Sequence, residues 1–188
     1  MPKHGRDRVN ARINRWLGLR IARRLARQED GTAAVEFGLV AMPFLALVFA
    51  IIETALVFFA TQVLESAASD SARLIMTGQA QMQGLSKDTF KAQVCTKIYG
   101  LFDCQAGVQV DVQTFTSFGN VNLQSPVDAN GNLDTSGFKY MPGGPGEIVV
   151  VRLVYQWPMF VSMLGLSNMA DNNRLMMATA AFRNEPYQ

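Results

Sequence analysis

The sequence predicts an α+β protein: a long N-terminal transmembrane helix that continues into a small extracytoplasmic domain with an antiparallel β-sheet. Three observations favour this class. Residues 37–60 form an apolar run with one ionisable residue, Glu53. The first thirty residues are strongly basic. The rest of the chain holds segments of strand-like alternation and a long run rich in Gly, Asn, Asp and Pro.

The apolar run is long enough to cross a membrane. As a helix, residues 37–60 would extend about 36 Å, and the hydrocarbon core of a bilayer is about 30 Å thick. A buried helix of a soluble core is one alternative, but such helices seldom run this far without a polar face. A removable secretory signal is another, with small residues at 66–68 as the cleavage site, but such signals use only roughly 7–15 apolar residues.

The charge distribution predicts the orientation of the span. Residues 1–30 contain nine Lys or Arg and three acidic residues, whereas the rest of the chain contains eight basic and twelve acidic residues, within a net charge of +2. A basic flank on one side places that side in the cytoplasm and the C-terminal domain in the periplasm. Apolar residues near helical spacing in the arm predict a short amphipathic helix on anionic lipid. Nucleic-acid binding is the competing interpretation of a basic arm, but the adjoining span already explains the charge, and no nucleic-acid partner is expected.

The helical pattern continues beyond the apolar run. Small and apolar residues keep to one face as far as Ile75, and Gly78 is placed to end the helix. The sequence thus predicts one helix over residues 32–78, with its transmembrane part at about 37–60. Pro43 lies in the membranous half and predicts a kink or local unwinding there.

Residues 79–188 have the composition of a folded domain. Ser86 is placed to cap a helix that carries Phe90, Val94 and Ile98 at helical spacing and ends near Gly100. Strands are predicted at residues 108–115, 147–157 and 175–183, with a long loop at 120–146. This sheet is expected to pack against the projecting part of the first helix.

Two cysteines, Cys95 and Cys104, both fall on the predicted outside of the membrane. The single histidine, His4, lies in the basic arm, so no third soft ligand for a metal is present beside them. In an oxidising compartment, two close cysteines are expected to form a disulfide. A bridge over so short a loop would stabilise the domain by about 2–3 kcal/mol.

No pattern in the sequence indicates an enzyme, a cofactor or a metal site. There is no nucleophilic triad, phosphate-binding loop or redox CxxC motif. Asp128, Asn130, Asn132 and Asp134 alternate as calcium ligands sometimes do, but the spacing lacks the glycine position and the final Glu of an EF-hand. Turn chemistry explains Asn130 and Gly131, and ion binding by the loop 120–146 stays open.

The residues from Gly31 to Phe37 (GTAAVEF) resemble a type IV prepilin processing site. Together with Pro43, Glu53, the Ala72-Arg73 pair and the terminal segment 183–186 (RNEP), they resemble the TadE-like minor pilins, or pseudopilins, of Tad/Flp (type IVb-like) pilus assembly systems. The resemblance implies cleavage by a prepilin peptidase between Gly31 and Thr32, so that residues 1–31 would be a cytoplasmic leader. The alternative is a Gly31 that merely ends a basic helix.

Two glutamates are candidates for contacts between subunits. The resemblance implies that Glu36 meets the N-terminal amine of a neighbouring subunit and so sets the register; the alternative is an interfacial charge that needs no partner. Glu53 lies about 25 Å further along the helix, and charges within spans usually mark a functional contact. We expect its partner to be another pilin-like subunit or the assembly platform; the alternative is simple proximity to the outer membrane surface.

The expected function is that of a membrane-anchored minor pilin. It would pack its N-terminal helix with other pilins or with the inner-membrane assembly platform, and would contact the prepilin peptidase and membrane lipid. It would be a single-pass inner-membrane protein, either confined to the membrane or incorporated in the fibre. The alternative is an uncleaved bitopic periplasmic scaffold or binding protein.

Overall fold

The computed structural model of the chain describes residues 30–98, 100, 102–160 and 165–187. The basic arm and the amphipathic helix predicted within it lie outside the described residues. The chain divides into two compact units, residues 1–49 and residues 50–188. The second unit contains the folded domain.

The first described element is helix α1, Asp30–Met76, which agrees with the helix predicted over residues 32–78. It continues through Pro43 without a break in its helical assignment, so no unwinding accompanies the proline, and the kink remains a prediction. The helix ends just before Gly78, whose φ of 77° is left-handed and whose N–H donates to the Ile75 carbonyl at 3.0 Å. A left-handed glycine is a common helix stop.

Within the second unit, one face of α1 forms part of the domain core. The buried residues follow helical spacing of three and four: Val57, Ala60, Leu64, Ala67, Ala68, Ala72 and Ile75. Most of them are alanines, whose small side chains allow a close approach of the packing partners. The periodicity that predicted a helix beyond residue 60 therefore also defines the face that packs.

The core partner of α1 is a three-stranded antiparallel sheet in the order β1-β2-β3. The strands are β1 (Gln109–Phe115), β2 (Ile148–Pro158) and β3 (Asn173–Arg183). Val151 of β2 pairs with Val112 of β1 on one side and with Ala180 of β3 on the other. All three predicted strands are present, and the predicted α+β class is confirmed.

Short helices connect α1 to the sheet. Helix α2 is Gln79–Met82, and α3 is Lys87–Cys95. The Oγ of Ser86 accepts a hydrogen bond from the Thr89 N–H at 3.2 Å, as the predicted cap requires. Helix α3 ends earlier than the predicted Gly100, because the N–H groups of Lys97 and Ile98 donate to carbonyls three residues back and tighten the last turn.

A further single-turn helix, α4 (Cys104–Gly107), was not predicted from the sequence. Asp103 caps it by accepting the Ala106 N–H at 3.0 Å. The predicted disulfide between Cys95 and Cys104 is confirmed and joins the end of α3 to the start of α4, with Cα atoms 5.5 Å apart.

The segment between β1 and β2 lies partly along the free edge of β1. The N–H of Val112 donates to the Lys139 carbonyl, and the Met141 N–H donates to the Val112 carbonyl, both at 2.8 Å. These bonds give Val112 and Tyr140 a short parallel bridge. The predicted loop 120–146 is thus held against the sheet by backbone pairing.

Candidate membrane and assembly surface

In the first unit, the described part of α1 presents apolar side chains outward. Exposed residues there include Val35, Phe37, Leu39, Val40, Met42, Phe44, Leu45, Leu47 and Phe49. The helix reaches a mean hydropathy of 2.4 over its most apolar window and is long and apolar enough to cross a membrane. Large exposed apolar surfaces mark sites that contact lipid or other proteins. We therefore expect this surface to contact lipid or other apolar helices.

The residues of the predicted processing site lie in the first turns of α1. Gly31, Thr32 and Glu36 are all exposed. A Cβ atom added to Gly31 would meet nothing within 4 Å, so the described residues give no steric reason for a glycine there. Glu36 lies about one helical turn after Thr32. Cleavage at Gly31 and registration by Glu36 both remain predictions.

Glu53 has a different environment, in the second unit. Its side chain is buried at 5% relative exposure, and its carboxylate accepts a hydrogen bond from the backbone N–H of Phe160. A buried carboxylate needs such donors, because its charge is costly in an apolar environment. From the sequence we expected a partner on another molecule. The hydrogen-bond donor seen here, the Phe160 N–H, belongs to the same chain. A contact of Glu53 with another subunit stays a prediction.

Beyond Glu53, α1 carries two different faces. Val57, Ala60 and Leu64 face the domain core. On the other side Leu56, Phe58 and Phe59 are exposed. The next exposed residues, Gln62 and Glu65, are polar. The exposed apolar surface of the helix therefore ends at about Phe59, several residues after packing against the domain has begun.

Sequence reasoning missed Phe160. It lies two residues after the end of β2, in a segment that the sequence shows only as apolar and irregular. An aromatic residue two positions after a proline, Pro158, was the available signal. The signal is weak, because single exposed apolar residues are common on protein surfaces.

The C-terminal segment that contributed to the resemblance has a structural role. Asn184 is buried, and its Nδ2 donates to the Pro142 and Gly144 carbonyls, both at 3.0 Å. The next N–H, of Glu185, donates to the Met76 carbonyl at 2.9 Å. Residues 184–185 thus connect the loop before β2 with the end of α1.

The acidic loop residues are occupied by the loop's own backbone. Asp128 Oδ1 accepts the N–H groups of Asn130 and Asn132, both at 2.8 Å. These bonds, above all the one from Asn132, hold the pKa of Asp128 below its ordinary value. Among the described residues, no three His, Cys, Asp or Glu side chains lie close enough to hold a metal ion. The geometry observed here is that of Asx turns.

A cleft of about 290 Å³ lies between α1 and α3. Its polar lining includes Asp70, Arg73, Gln93 and Lys97. One acidic and two basic side chains line it beside neutral polar groups, and this mixture does not single out a class of ligand. We assign no function to it.

The architecture defines a class of protein: one long apolar N-terminal helix whose second half packs into a small α+β domain with a three-stranded antiparallel sheet. Comparison with known families then narrows the class. The family model described as TadE-like protein matches residues 31–73, which is less than half of the chain and falls entirely within α1. The resemblance drawn from the sequence is confirmed over this helix. Comparisons with curated proteins and with solved structures gave no match.

Proposed function

We propose that this protein is a membrane-anchored minor pilin, or pseudopilin, that takes part in Tad/Flp pilus biogenesis. The observation that carries the proposal is the TadE-like match over residues 31–73, the same helix that exposes an apolar surface long enough to cross a membrane. The α1 helix packs with the corresponding helices of other pilins or with the inner-membrane assembly platform. The TadE-like family is not known for enzymatic activity, and no catalytic role is proposed.

The proposed topology follows from the charges. The basic residues 1–30 stay in the cytoplasm, and the domain with its disulfide lies in the periplasm. A prepilin peptidase hydrolyses the peptide bond between Gly31 and Thr32 and leaves Thr32 as the new N-terminus. The new amine then pairs with Glu36 of a neighbouring subunit, because an amine and a carboxylate in apolar surroundings stabilise each other only when they meet.

The cleavage is tested by mass spectrometry of the protein isolated from its native cells. We expect a mature N-terminus at Thr32 in the native protein and an intact leader in a Gly31→Leu variant. Gly38→Leu is the matched control, because Gly38 lies on the same helix and a Cβ there also meets nothing within 4 Å. An intact leader in native, piliated cells would contradict the proposal and favour an uncleaved periplasmic scaffold.

The role of Glu36 is tested separately, by counting pili. We expect Glu36→Ala to be cleaved normally but to reduce pilus assembly. Glu65→Ala is the matched control, since Glu65 is an exposed glutamate on the same helix outside the apolar surface. Normal piliation by the Glu36→Ala variant would remove the registration role without affecting the cleavage result.

A further inference from the structure

Phe160 presents an apolar side chain to solvent two residues after the end of β2. Its relative exposure of 83% is the highest among the large apolar side chains that the structure describes. The preceding Met159 is buried, and so is Trp157. Side chains therefore alternate here, with Trp157 and Met159 in the core and Pro158 and Phe160 exposed.

Two hydrogen bonds fix the backbone that carries this side chain. The backbone N–H of Phe160 donates to the Glu53 carboxylate on α1. The carbonyl of Met159 accepts from Asn172 Nδ2 at 3.1 Å, just before β3 begins. The first bond places Phe160 beside the turn of α1 at which packing against the domain begins. The second ties the same segment to Asn172, the residue that precedes β3.

The surface of α1 around this turn is apolar. Ile51, Ile52 and Leu56 are exposed there, and the exposed apolar surface continues to Phe59. From Glu53 to Phe59 the helix rises about 9 Å. The turn of α1 to which the Phe160 N–H is bonded therefore lies about 9 Å, along the helix axis, before the point where the exposed surface of α1 becomes polar.

We propose that Phe160 inserts into the outer leaflet, so that the periplasmic domain rests on the lipid surface. The inference relies on the membrane anchoring given under the proposed function. If α1 leaves the apolar layer near Phe59, a side chain beside Glu53 falls within the depth of about 5–10 Å that interfacial anchors reach. The occupant is lipid, because the N–H of the exposed Phe160 is bonded to Glu53, and the exposed side chains around Glu53 on α1 (Ile51, Ile52 and Leu56) are all apolar.

This arrangement also explains the buried Glu53. A carboxylate at the membrane surface loses hydrogen bonds to water. The backbone N–H of Phe160 supplies one hydrogen bond in their place. The same bond holds the segment on the helix. The domain would then have a defined height above the bilayer, set by Glu53 and Phe160.

The test measures the depth of a label at position 160 in the full-length protein. Cys95 and Cys104 are joined to each other, so a cysteine introduced in a Phe160→Cys variant is the single free thiol. It is labelled with an environment-sensitive fluorophore in vesicles of phosphatidylcholine and phosphatidylglycerol. Nitroxide lipids carrying the spin label at the headgroup or deep in the acyl chain then quench the fluorophore according to depth.

Two matched variants complete the test. Met82→Cys places the label on an exposed residue of α2, beyond the C-terminal end of α1. That end of α1 lies about 35 Å from Glu53 along the helix. Phe44→Cys places it within the candidate span. We expect headgroup nitroxides to quench the Phe160→Cys label several times more than the Met82→Cys label. We expect deep nitroxides to quench the Phe44→Cys label most.

The outcomes separate the two proposals. Quenching of the Phe44→Cys label without quenching of the Phe160→Cys label would overturn lipid docking and leave the anchor intact. An unquenched Phe44→Cys label would overturn the anchor and, with it, the docking. A Phe160→Cys label that responds to protein density rather than to nitroxide lipid would identify a second protein copy as the occupant and overturn the lipid assignment.

Discussion

The guanidinium of Arg152 lies 2.6 Å from the carboxylate of Asp111, and both side chains are buried. The two residues are direct cross-strand partners of β2 and β1. Asp111 also accepts the Lys139 N–H, and Arg152 also donates to the Gln124 carbonyl, both at 2.8 Å. The pair therefore fixes the long loop to the sheet as well as joining two strands.

Removal of one member of this pair should be strongly destabilising. We expect Asp111→Ala to lower the free energy of unfolding by about 3–5 kcal/mol, because it leaves a buried, uncompensated guanidinium. Thermal unfolding of the full-length protein in detergent, followed by circular dichroism, measures the effect. The exposed Asp171→Ala is the control and should change little. Equal melting temperatures for the two variants would show that the buried pair contributes nothing.

The disulfide should matter for stability and should report on topology. Replacement of both Cys95 and Cys104 by Ser should cost about 2–3 kcal/mol in the chain-entropy model, because the unfolded chain loses its cross-link. The measurement is the unfolding midpoint of the double variant against the oxidised protein. In native cells, we expect the thiols to resist alkylation until a reductant is added. Thiols that react freely in intact cells would argue against a periplasmic domain.

Gly78 should tolerate substitution less well than another glycine of similar backbone conformation. Gly78 and Gly84 have φ values of 77° and 60°, but only at Gly78 would a Cβ collide with a neighbour, 2.3 Å from Cγ of Tyr187. We expect Gly84→Ala to cost about 1–2 kcal/mol, from the left-handed backbone alone, and Gly78→Ala to cost more. Thermal unfolding compares the two. A Gly78→Ala/Tyr187→Ala double variant that unfolds earlier than Gly78→Ala would show that relief of the clash is not the dominant effect.

The loop around Asp128 should weaken in acid. Its pKa is lowered from the ordinary value of 3.8, chiefly by the backbone hydrogen bond from Asn132. A carboxyl group with a depressed folded pKa contributes stability above its ordinary pKa and loses that contribution as the pH falls through the folded value. A carboxyl NMR titration should therefore give Asp128 a midpoint below 3.8. A midpoint at or above that value would mean that the Asx turn is absent in solution.

Much of the fold could be predicted from local patterns. Helix α1 follows from hydropathy and from apolar residues three and four apart, and the strand from Ile148 to Pro158 follows from a run of β-branched residues. The Ser86 cap and the Cys95–Cys104 bridge depend on residues close in sequence, so they too were predictable. The short α4 helix was not, because four residues carry no periodic signal.

The sequence by itself determined the apolar helix, the likeness at Gly31 and Glu36, the three strands and the disulfide, since each depends on residues near one another in the chain. Only the tertiary structure decided which side chains meet across the domain. Glu53 and Phe160 are 107 residues apart, and Asn184 reaches carbonyls about forty residues back. Such contacts depend on how α1 and the sheet pack together. Local propensity carries no information about that packing, so the intramolecular partner of Glu53 could not be foreseen from its sequence position.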